Sequence, residues 1–152
     1  MTAVVESQPI LGTGQQIEYM HQAEAAARLS GFASNAASLC HALSRGVNPE
    51  DLQLLIERTE AFSEVIAQLD AVEPRARSYS DLIPFQVWRE STDSHDAGET
   101  GVKVNEVLDA IKYRELDRDK LGNAAKYFRV LAAKLAERGR TSMFAAQDSL
   151  RG

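Results

Sequence analysis

A second cysteine is missing from this chain. Cys40 stands alone, so no intramolecular disulfide is possible and folding cannot depend on an oxidising compartment. Long apolar runs are missing too: no stretch approaches the ~20 residues needed to span a bilayer. The opening segment MTAVVESQPILGTG carries Glu6 and Pro9 and lacks a basic start, which does not fit a secretory signal. No run of β-branched residues alternates at period two between turn residues, so there is no strand signal. Neither a nucleophile elbow nor a glycine-rich phosphate loop is present, which leaves acyl transfer and nucleotide chemistry without a motif. The expectation is a soluble, cytoplasmic, non-enzymatic protein that takes no cofactor and touches no membrane.

What is present fits one globular domain: 152 residues, 44% apolar and 26% charged. A net charge of −5 argues against nucleic-acid binding, which neutralises phosphates with Lys and Arg. The charge is unevenly spread. Residues 1–114 hold 9 basic and 17 acidic side chains, whereas residues 115–152 hold 8 and 5. Attraction between the two halves of one fold accounts for this asymmetry most simply.

Two apolar stripes dominate the first half. Ala25, Leu29, Phe32, Ala36, Leu39 and Leu43 recur at steps of three and four, and so do Leu52, Leu55, Thr59, Phe62, Ile66 and Leu69. Between them, Arg45-Gly46 reads as a helix stop and Asn48-Pro49-Glu50-Asp51 as a helix start. The pair is an antiparallel helical hairpin. Its first helix should run from Gln16 to Arg45, and its second to about Val72, ahead of Pro74. Small residues crowd the other faces of the first helix, which suits packing on more than one side.

Residues 73–83 read as a connector, Pro84–Arg89 as a short helix, and 91–98 as an exposed loop. A helix from Thr100 to Tyr113 should bury Val104, Leu108 and Ile111. A last one, from Asp117 to before Gly139, should turn Leu121, Phe128, Leu131 and Leu135 inward. Residues 113–117 fit either a turn or a continuous bend. The sequence thus predicts an all-α, up-and-down bundle of about four main helices built from two helical hairpins over residues 16–139. A flexible N-terminal arm (1–15) and a flexible C-terminal tail (140–152) flank it.

Candidate sites follow from charge and exposure. Glu57, Glu60 and Glu64 form an acidic ridge outside the second helix, suited to a basic partner. Phe85 and Trp88, three residues apart in a short segment between loops, form a candidate interface anchor or a plug for the bundle end. The small-residue faces of the first helix invite a second copy of the chain, so a homo-oligomer is expected alongside a protein partner of unknown identity. Chemical readings of other residues are weaker. Glu18-x-x-His21 is one copy of a motif that di-iron bundles use in pairs; a metal-binding helical bundle around it is the last alternative, behind an ordinary solvated pair of polar side chains. Cys40-His41 followed by Arg45-Gly46 resembles phosphotransfer bundles, with the base displaced by one residue and Gly46 better explained as a cap. His41 is therefore the alternative, phosphotransfer-like site. Asp93, His95, Asp96 and Glu99 lack calcium-loop spacing.

Overall fold

The computed structural model describes residues 14–70, 79–92 and 97–151, and every regular element among them is a helix. In chain order these are α1 (Gly14–Ser44), α2 (Leu52–Asp70), α3 (Tyr79–Ser91), α4 (Ala97–Tyr113) and α5 (Arg118–Arg151). The all-α expectation holds, with five helices among the described residues rather than about four. No helix among the described residues is long and apolar enough to cross a membrane.

The α1–α2 joint follows the local chemistry closely. Gly46 takes the left-handed conformation at φ 68°, where a side chain would be strained. Its amide donates to Leu43 O, and the Val47 amide donates to Ala42 O at 2.9 Å, which together close a Schellman stop. The start of α2 is less direct than its residues suggest. Leu52 N–H first bonds Pro49 O in a tight turn, and the first α-type bond runs from Leu55 N–H to Asp51 O. Asp51, not Asn48, is therefore the last residue before the helix proper.

Residues 113–117 form a turn. Arg114 adopts φ 56°, and Glu115 N–H bonds Ala110 O at 3.0 Å in the same kind of stop. Asp117 then caps α5, its Oδ1 accepting from the amides of Asp119 and Lys120 at 3.0 and 3.1 Å.

Three expected boundaries move. α3 begins at Tyr79, upstream of Pro84, so the proline sits inside the helix and removes one backbone bond. The 91–98 loop is shorter than expected: Ser91 ends α3, Thr92 is buried, and a buried Ala97 opens α4, with 93–96 outside the described residues. α5 runs through Gly139 to Arg151, so residues 140–151 are helix rather than a loose tail. Gly139 is no stop because it is a packing contact. A Cβ there would lie 3.3 Å from Ala26 Cβ and 3.6 Å from Ala23 O. The flexible arm falls mostly on residues 1–13, outside the described residues, while Gly14 and Gln15 already belong to α1.

The core is the two stripes facing a third. Leu55, Thr59, Phe62, Ile66 and Leu69 are the buried residues of α2, as its spacing requires. Phe62 stacks on Phe32 of α1 at 5.8 Å between centroids and meets Phe128 of α5 edge-on at 6.3 Å. α1 buries a second face, Ala23, Ala26, Ala33, Ala37 and Cys40, and its longest interface is with α5. Small side chains explain why. They let the two backbones approach until Ser30 Oγ donates to the carbonyl of Ala132 at 2.8 Å. α4 packs on α2, where Ser63 Oγ bonds Asn105 Oδ1 at 3.0 Å. The four long helices therefore alternate in direction, but the dominant pair is α1 with α5, not two sequence-adjacent hairpins.

Candidate functional site

Polar contacts cross-link the α1–α3–α5 region. Arg138 on α5 is the hub. Its Nη2 donates to Gln22 Oε1 of α1 at 3.0 Å and to Glu90 Oε2 of α3 at 2.7 Å, while Nη1 contacts Ser142 Oγ. Ser142 and Gln22 are themselves buried. Most of the hub's partners come from distant helices, so the set was not visible as a motif. Its evident work is to pin the end of α3 against the α1–α5 pair.

The sequence-derived residues divide in two. Glu57, Glu60 and Glu64 are all exposed on α2, as a ridge requires. Phe85 is half-buried against the core, and Trp88 is only 4% exposed. A side chain already that covered has almost no area to offer a partner, so the packing reading of the aromatic pair wins. The indole Nε1–H of Trp88 is buried without a hydrogen-bond acceptor among the described residues. Glu18 and His21 lie near the start of α1, with Glu18 half-buried and His21 exposed. Among the described residues no three His, Cys, Asp or Glu side chains converge.

His41 is exposed in the last turn of α1, and its Nδ1 lies 3.1 Å from Nη2 of Arg129 on α5. Arginine has no acceptor, so Nδ1 accepts and the ring proton sits on Nε2. The base beside His41 thus comes from 88 residues away, not from Arg45. Next to it Cys40 is fully buried, and burial pushes its thiol up to about 12 against a smaller opposing backbone hydrogen bond. Such a thiol is no nucleophile near neutral pH.

Surface grooves flank α5. Between α4 and α5 a wedge of about 660 Å³ has Val107 and Leu121 at its floor and Lys103, Asp109, Glu115 and Lys120 among its rim. Beside α3, a groove of about 470 Å³ includes Glu90, Lys134 and Arg138. The third, about 520 Å³, lies along the outer side of the α1–α5 pair, over Ala27, Gly31, Ser34, Ala136, Gly139 and Met143.

That third groove belongs to a longer feature. Ile17, Met20, Glu24, Ala27, Gly31, Ser34 and Ser38 recur at alternating steps of three and four along α1, and every one is exposed. Ile17 and Met20 keep 43 and 42% of their surface, and Met143 and Phe144 of α5 keep 44 and 63%. The spacing is that of a helix seam waiting for a partner helix. It was legible in the sequence but eclipsed by the stronger stripe beginning at Ala25. No family model matches this chain, and no curated protein and no solved structure matches it.

Proposed function

We propose that this chain is a non-enzymatic protein-interaction module, of the adaptor, regulator or small structural kind, acting through its outer helix surfaces in the cytoplasm. The observation that carries this reading is the exposed seam of α1 with its flanking groove. A helix that buries two faces and leaves a third at heptad spacing open, with large apolar side chains at one end, has the form of a docking surface. The polar set around Arg138 supports the same reading, because it fixes the α1–α5 pair as a rigid platform. The acidic ridge of Glu57, Glu60 and Glu64 offers a second surface, complementary to a basic partner.

A photo-crosslinking side chain at Ser34 tests the reading in the producing cell, with the exposed Asn123 of α5 as the control position. Protein adducts from position 34 and none from 123 are expected. Equal yields from the two positions would overturn it.

One observation favours a second reading, phosphotransfer through His41. Arg129 stands where it can leave Nδ1 and hold the oxygens of an arriving phosphoryl group. The Nδ1 lone pair would then bond phosphorus while the donor's P–O bond breaks and its oxygen keeps the electron pair. Incubation with acetyl phosphate tests this: acid-labile label on the wild type and none on His41→Ala supports it, and equal label on both rejects it.

A further inference from the structure

We propose that the seam of α1 is covered by a second copy of this chain, laid antiparallel across the α1–α5 face. The inference rests on reading that face as a protein-docking surface and names its occupant.

Side-chain size is the first argument. Going up α1, the exposed seam starts with Ile17, Met20 and Glu24 and continues with Ala27, Gly31, Ser34 and Ser38, none of these last four larger than serine. Met143 stands over the same groove at its bulky end. The face is thus high at one end and low at the other. A two-fold axis crossing α1 between Ala27 and Gly31 places the high end of each copy over the low end of the other. Met20 then meets the partner's Ser38, and Ala27 meets the partner's Gly31. Such self-complementarity is what an isologous interface demands.

Charge selects the direction. Glu24 is the one ionised residue of the α1 seam; Arg140 of α5, which also lines the groove, is paired with Glu137 on its own helix. Were the two α1 helices parallel and in register, the two Glu24 carboxylates would face each other. In the antiparallel arrangement Glu24 faces the partner's Ser34, ten positions away from the partner's Glu24. At 1.5 Å per residue that is ~15 Å, well beyond the ~8 Å over which charges interact in physiological salt.

Area is sufficient. The seam from Ile17 to Ser38 covers ~33 Å of helix, and two helices lying 8–10 Å apart present a face ~20 Å wide, or roughly 650 Å² per copy. Doubled, this comes to about 1,300 Å², inside the range of stable interfaces.

Light scattering on the full chain at 1–100 µM provides the test. A mass twice the 16.7 kDa of one chain is expected at the upper concentrations. Gly31→Glu puts a charge at the centre of the face, where a Cβ meets nothing within 4 Å, so the fold has room for it. This variant should be a monomer at 100 µM with unchanged circular dichroism. Ser34→Glu, which would face the partner's Glu24, should behave alike. For direction, Met20→Cys combined with Ser38→Cys should yield a covalent dimer on mild oxidation, and Met20→Cys alone should yield little. A monomeric wild type, a dimer indifferent to both charges, or equal cross-linking through Met20→Cys alone would each overturn the proposal. Adducts to a different protein from position 34 would remove the second copy yet leave the docking reading standing; no adducts at all would remove both.

Discussion

Truncating Phe62 to alanine strikes the point where three helices meet. Its ring is fully buried, stacked on Phe32 of α1 and edge-on to Phe128 of α5. Removing a buried phenylalanine costs ~3–5 kcal/mol in transfer and cavity terms. The two ring contacts contribute roughly 0.5–1.5 kcal/mol each and push the loss toward the upper part of that range. A working figure of about 4 kcal/mol is a large share of the 5–15 kcal/mol that holds a domain together. For a chain of this size it corresponds to a fall in Tm of roughly 8–16 °C. Urea unfolding followed by far-UV circular dichroism at low protein concentration measures it, with the m-value expected to stay constant. A loss under about 1 kcal/mol, well below the range for a buried ring, would refute the placement of Phe62 at the three-helix junction.

Gly122→Ala should stabilise by about 0.5–1 kcal/mol, because a helical glycine with open space around its Cβ gives up only backbone entropy; Gly139→Ala should stabilise less or destabilise, since Ala26 crowds the site, and paired melts separate the two. Arg114→Gly, relieving a non-glycine residue at φ 56°, should gain up to ~1 kcal/mol in the same assay. Arg138→Met should cost roughly 1–3 kcal/mol by stripping Gln22 and Ser142 of their charged donor, whereas Glu90→Ala, half exposed, should cost under ~1 kcal/mol. Cys40 should resist thiol reagents until the chain unfolds. Its folded-state pKa is raised, so its contribution to stability is complete below the unfolded thiol's pKa of about 8.5 and fades as pH climbs toward about 12; chemical melts between pH 8 and 11 should show a steeper decline than Cys40→Ala shows.

The inner face of α2 was legible residue by residue, because nothing but a helix period fits Leu55, Thr59, Phe62, Ile66 and Leu69. The Gly46 stop was equally plain, since the left-handed residue that ends a helix suits glycine best. The run past Gly139 was not. Read alone, a glycine after Arg138 looks like an end, and only the nearness of Ala26 across the helix pair shows it to be a contact. Trp88 shows the same limit: an aromatic in a short segment looks like an anchor until its surroundings are known. The bonds from Arg138 to Glu90 and Gln22 and the His41–Arg129 contact join residues 48 to 116 positions apart, and local spacing carries no trace of them.

Thiol labelling along α1 tests most directly whether its seam stands open at the fold and closes on association. Single cysteines at Ala27, Gly31 and Ser34 should react fast at nanomolar concentration and slow markedly at 100 µM, while cysteine at Ala33 stays slow throughout. Slow labelling at all four positions in dilute solution would mean the chain covers that face itself, and the account would be wrong.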